Sequence, residues 1–233
     1  MKTLMNLIAL ALTVSVSAQQ TIKETQYAAY LAASKTMWEK SAELATEKHG
    51  ENSFERAMAL YGILSNTMAS QDEETFDKYK DKTVDLLEKL IDENPEWGEP
   101  KAVLSSTYGL VMAYNPMKGM FLGMKSNSLI DEAMEQQPES ALVQKLYAGS
   151  KLYTPEMFGG DPEEAVESFT KAAELYVADS EGNWQYLDTM MGLSMAYQKL
   201  GQKEKAMELL EEAIELEPNY YWAKSELEKM RKS

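Results

Sequence analysis

The sequence has no cysteine, one histidine, and few of the residues that break regular structure: 12 Gly and 7 Pro in 233. Without Cys there is no disulfide, thiolate zinc site, iron–sulfur cluster or cysteine nucleophile. A lone His49 excludes paired-histidine metal sites. Basic residues are scarce, 23 Lys plus Arg against 38 Asp plus Glu, a formal net charge of −15. Such a surface is wrong for nucleic acid or an anionic membrane, because phosphate binding needs clustered Lys and Arg. Strand-like alternation of β-branched residues is missing too. What the chain does have is an ordinary globular balance, 44% hydrophobic and 26% charged, enough apolar side chain for a packed core.

The apolar run from Leu4 to Val16 follows a single basic residue, Lys2, and ends in the small residues Val16-Ser17-Ala18. It is shorter than the ~20 residues of a membrane span and has the flanks of a secretory signal. The expected cleavage is after Ala18. A lipoprotein would need a Cys there. The mature chain is then 19–233, exported, with charge 22 − 38 = −16 because only Lys2 is lost. No later stretch is apolar enough to span a bilayer.

Beyond the signal, apolar residues recur at three and four, as in Leu209, Leu210, Ala213, Ile214 and Leu216. His49-Gly50 reads as a helix end with a glycine just past it, and Asn94-Pro95 and Glu217-Pro218 as stops. Asp161-Pro162-Glu163-Glu164 reads as a start, with an N-cap, a proline in the first turn and carboxylates near the positive end of the helix. The pattern predicts ten helices, near 23–48, 53–69, 73–93, 98–114, 122–136, 139–153, 162–178, 184–199, 203–216 and 220–231.

These helices pair. Leu193-Ser194, Tyr197, Gly201, Ala206, Leu210, Ala213 and Pro218 stand in the order and spacing of a helix–turn–helix unit over 187–220. The unit resembles the tetratricopeptide repeat (TPR), although Met190 holds the usual early Trp position. Small residues at Ser194, Ala206 and Ala213 let two helices approach; Leu193, Tyr197 and Leu210 fill the grooves between pairs. Looser units carry Tyr61-Gly62, Tyr108-Gly109 and Ala148-Gly149 at the large-small position. The resemblance implies an all-α TPR-like solenoid, one domain over 19–233, closed by a polar capping helix near 220–231. Pro155-Glu156-Met157-Phe158-Gly159-Gly160-Asp161 resembles a loop of exported bacterial repeat proteins, among them the periplasmic TPR component associated with TRAP-type uptake.

Several motifs read as structural. Gly159-Gly160 is a long turn with Phe158 tucked inward, because Asp161, Glu163 and Glu164 repel an anion there. Met117, Met120 and Met124 read as gap fillers of an irregular core rather than a Cu(I) site, with no His or Cys beside them. His49 is a helix-end cation, and carboxylate pairs such as Glu211-Glu212 are solvated faces. No catalytic, cofactor-binding or metal-binding set emerges, so no cofactor is expected and the chain reads as non-enzymatic.

Repeat proteins bind on their concave face. The resemblance places Ile63, Asn66, Ser106, Leu110, Leu146, Ser150, Tyr153, Asp188, Met191 and Met195 on it. Met191 and Met195 stand where chaperone-binding relatives use Lys and Asn to hold a peptide carboxylate, so the groove is apolar. It holds a protein or peptide partner of the cell envelope or, in an uptake accessory, an apolar solute. Or it is filled by the helix at 23–48, through Tyr27, Tyr30, Leu31 and Trp38.

Overall fold

The computed structural model describes residues 21–232, which form eleven α-helices and no strand. They are α1 over 21–31, α2 Lys35–His49, α3 Phe54–Ser70, α4 Glu73–Glu93, α5 Gly98–Tyr114, α6 Gly119–Gln136, α7 Ala141–Tyr153, α8 Pro162–Tyr176, α9 Trp184–Lys199, α10 Lys203–Leu216 and α11 Tyr221–Lys232. Short 3₁₀ turns occupy Pro116–Lys118, Glu156–Phe158 and Val177–Asp179. The export segment lies outside the described residues. Among those described, no helix is long and apolar enough to cross a membrane.

Side chains cap six of the helix starts. Ser34, Ser53, Asp72, Ser140, Asp161 and Asn183 each accept a hydrogen bond from a first-turn backbone N–H, satisfying a donor that the helix itself leaves free. Gly50 ends α2 at φ 88°, its N–H donating to the Thr46 carbonyl. Asn94 and Glu217, each before a proline, cap α4 and α10.

Successive helices pack as neighbours, and α3, α5, α7 and α9 also touch one another as an inner layer. The pairs α3/α4, α5/α6, α7/α8 and α9/α10 are the repeats, and α11 covers α10. In the last pair Ala206, Leu210 and Ala213 are fully buried, and the Ser194 hydroxyl donates to the Ala206 carbonyl at 2.9 Å. Close approach there needs small side chains. Of the three earlier large-small glycines, only Gly62 makes such an approach: a Cβ on it would lie 2.4 Å from the Trp38 ring. Gly109 and Gly149 face open space.

Three expectations are corrected. The helix expected over 23–48 is two helices, broken at 32–34. Ala33 adopts φ 45° and the Ser34 N–H returns to the Ala29 carbonyl at 2.9 Å, a left-handed helix end that usually carries glycine. The break turns α1 so that Tyr27 and Tyr30 reach the far end of the solenoid. Second, Met117, Met120, Phe121 and Met124 fill no core: they are 83%, 80%, 78% and 79% exposed. The core face of α6 is Ser126, Ile130 and Ala133, on the other side of the helix. Third, Phe158 is not tucked in but 62% exposed. The loop closes on its own backbone instead: Gly160 N–H donates to Pro155 and Asp161 N–H to the Lys151 carbonyl. A Cβ on Gly160 would sit 1.8 Å from the Thr154 carbonyl oxygen, so only glycine fits.

Candidate functional site

The inner face is built from α7 and α9 and crossed by α1. Lys145 of α7, 4% exposed in its side chain, lies 2.6 Å from an Asp188 carboxylate oxygen. It also donates to the Gln185 side-chain carbonyl and sits 4.7 Å over the Trp184 ring. A buried ammonium costs several kcal/mol unless it is paired and hydrogen-bonded, and these three groups meet that requirement. The Tyr30 hydroxyl of α1 donates to the other Asp188 oxygen at 3.1 Å and stands 2.5 Å from the Tyr220 hydroxyl. Burial, then the Asp188 charge, pushes both phenols well above their ordinary value. Around this floor Trp184 Nε1–H donates to the Gln26 side chain, Tyr27 donates to Glu217, and Lys23 pairs with Asp179. The rings of Tyr30, Trp184 and Trp38 meet in sequence, the first pair tilted at 5.5 Å and the second edge to face at 5.1 Å between centroids. The chain therefore fills much of its own groove through Tyr27, Tyr30 and Trp38, one of the two readings the sequence left open.

Beside this filled region a concavity of about 530 Å³ remains, lined by Leu152, Tyr153, Met195, Gln198 and Lys199. Tyr153 is 65% exposed, and its hydroxyl donates to the Met195 sulfur at 3.5 Å. The surrounding walls, then the Asp188 carboxylate, raise the Tyr153 phenol; like any tyrosine it is neutral and able to donate at physiological pH. Lys199 donates to the Leu152 carbonyl at 2.8 Å and so satisfies an end group of α7. The site offers an aromatic edge, a thioether and a cation at a rim. A second concavity, of about 540 Å³ among α2, α3 and α4, is lined by Glu39, Glu43, Glu47, Arg56, Lys78 and Lys82 with Tyr79. Within it Lys78 pairs with Glu39 at 3.4 Å, and Tyr79 donates to Glu39 at 2.6 Å, a bond that holds the Glu39 carboxyl below its usual value.

Of the groove residues expected from the sequence, Tyr153 and Met195 are brought together at one opening. Asp188 lies behind them, engaged in the floor. Ile63, Leu146 and Met191 are buried in the core, Met191 at 1% exposed, and Leu110 is half-buried against α3 and α4. Ile63, Leu146 and Met191 are thus committed to packing between helices rather than to a partner, and Leu110 in part. Asn66, Ser106 and Ser150 are half-buried, Ser106 bonded to the Tyr61 hydroxyl at 2.8 Å. Lys145, Gln185, Trp184 and Lys199 were not anticipated. The available signal was an Asp at an inward position, which requires a buried cation nearby, and a Lys set among Leu142, Val143 and Leu146 of α7. Among the described residues no group of three or more His, Cys, Asp or Glu is placed to hold a metal ion.

Residues 157–217, spanning α8 to α10, match the family described as tetratricopeptide repeat. No curated protein matches the chain in sequence. Among solved structures, a thermophilic TPR protein of Thermus thermophilus superposes with a TM-score of 0.56 at 15% identity, covering 87% of this chain and 91% of that one. YrrB, a TPR protein with an unusual peptide-binding site, gives 0.44 at 17% identity over 83% and 81%. A putative kinesin light chain of Podosopora anserina with nearly identical TPR-like repeats gives 0.39 at 18% over 86% and 92%. At such identities the Thermus protein speaks to fold alone. Residues 157–217 thus carry the tetratricopeptide repeat, and the chain has the helical-repeat solenoid fold of TPR proteins.

Proposed function

We propose that the protein is an exported, non-enzymatic scaffold that holds a protein or peptide partner in the cell envelope. Export is supported by the basic start, short apolar run and Val-Ser-Ala end of residues 1–18. The scaffold role is supported by the repeat fold. The observation that carries the reading is the open Tyr153–Met195 concavity on an inner face otherwise filled by α1. Its volume also lies within the ~300–1,000 Å³ of small-molecule pockets, which keeps a second reading: an uptake accessory holding an apolar solute.

Capture from envelope extract, followed by titration of the identified partner, tests the site. Tyr153→Ala is expected to cost ~2 kcal/mol or more of binding, as an aromatic anchor does, and Met195→Asp to weaken it further with little dependence on salt. Unchanged affinity in both folded variants, with loss on reversing an outer-face charge, rejects the concavity. A stoichiometric apolar molecule in native mass spectrometry selects the solute reading. Export is checked by N-terminal sequencing from the native host: the chain begins at Gln19, whereas Met1 retained in the cytosol overturns it.

A further inference from the structure

The exposed stripe on α6 is separate from the concavity and has a chemistry unlike the rest of the molecule. Met117, in the 3₁₀ turn that leads into α6, and Met120, Phe121 and Met124 of the helix itself are spaced i, i+3, i+4 and i+7, and the three helical ones lie opposite its buried Ser126, Ile130 and Ala133. Four large apolar side chains, each more than three-quarters exposed, make a patch that water does not favour. Lys118 and Lys125 lie one turn or less from it along one border. From Pro100 to Ile130 there is no Asp or Glu, only Lys101, Lys118 and Lys125, so this stretch is +3 and the remainder of the −15 chain is −18. Lys101 is buried against Glu132, and Lys125 meets Glu88 at 2.8 Å, which leaves Lys118 as the outward charge of the border. The topology puts a second Met-Phe pair, Met157-Phe158, on the same edge of the solenoid, in the corresponding connector of the next repeat.

We propose that this stripe docks an amphipathic helix of a partner protein whose apolar face is bordered by acidic residues. A helix face of this spacing matches the i, i+3, i+4, i+7 anchors of a second helix, and methionines adapt to its side chains. The border selects the sign. A basic partner is attracted by the acidic exterior at large but meets Lys118 here, with Lys125 behind it in its pair with Glu88; an acidic partner finds a complementary charge at this border. A second copy packed stripe to stripe sets these lysines against their own images. A membrane surface of anionic lipid is opposed by the charge of the whole molecule.

Two labelled helical peptides serve as probes, both with Leu at i, i+3, i+4 and i+7, one flanked by Glu and the other by Lys. Fluorescence anisotropy with the full chain is expected to show the Glu peptide binding about tenfold or more tighter than the Lys peptide at low salt. Met120→Asp with Met124→Asp lowers that binding about tenfold or more. Lys118→Glu narrows the preference between peptides, and Tyr153→Ala changes nothing. The substituted positions are exposed, and thermal melts confirm folding. Equal binding of both peptides, no binding of the Glu peptide, or loss in Tyr153→Ala but not in the stripe variants each overturns the proposal. So does dimerisation lost in the stripe variants, or stripe-dependent flotation with phosphatidylglycerol vesicles in the absence of Glu-peptide binding.

Discussion

Gly62 and Gly109 hold the same position in successive inner helices, and their sequence neighbours match, Tyr61-Gly62 and Tyr108-Gly109. Their surroundings are opposite. The Trp38 ring occupies the space a Cβ on Gly62 would need, while nothing lies within 4 Å of one on Gly109. Gly62→Ala is expected to cost ~1–3 kcal/mol by overpacking. Gly109→Ala, in an open helix interior, is expected to add ~0.5–1 kcal/mol, since alanine loses less backbone entropy. Thermal melts of the two variants should move in opposite directions; movement in the same direction contradicts the packing of Trp38. The large-small dipeptide was readable in both repeats. Which glycine is needed was not, because the ring comes from the preceding element and no local pattern records it. Met191 teaches the same lesson: its inward direction follows from helix phase, but its burial comes from the helices that cover it, α10 and α11.

Among the elements, α1 is the least predictable. Residues 21–49 contain no Gly or Pro, and Ala32-Ala33 favours continuing the helix. The break is held by Ser34 capping α2 and by the contacts α1 makes beyond it. A left-handed alanine costs ~1–2 kcal/mol, and glycine's greater freedom in the unfolded chain returns ~0.5–1 of this. Ala33→Gly is therefore expected to raise stability in chemical denaturation by up to ~1 kcal/mol with no change of fold. A loss of stability would mean that α1 does not turn there. The helix spans of α3 to α10, the Asp161 cap and the proline stops after α4 and α10 were legible because each is decided within one or two turns of chain. The outward Met stripe of α6 was legible as spacing but not as exposure, since the same periodicity describes a helix face that is covered and one that is not.

At the scale of the molecule, closure of the solenoid rests on hydroxyls shared between its two ends: Tyr30 with Asp188 and Tyr220, and Tyr27 with Glu217. In the folded chain the Tyr30 and Tyr220 phenols stay protonated well above 10, while the unfolded chain ionises them near 10. Their contribution is thus fully present below about pH 10 and is lost as pH rises past it. The melting temperature is expected to fall steeply above about pH 10, and less steeply in the double variant Tyr30→Phe/Tyr220→Phe. Parallel pH profiles would remove these phenols from the closure. The sequence by itself determined the all-helical class, the helix ends and the repeat unit over 187–220, because backbone hydrogen bonding, capping and the 3.6-residue period act between near neighbours in the chain. Only the tertiary structure decided that α1 lies in the groove, that the concave site shrinks to Tyr153 and Met195, and that Lys145 is the counter-charge of Asp188. Those outcomes join residues up to 190 positions apart, and they depend on how the superhelix closes, a sum of small rotations between repeats that no single segment encodes.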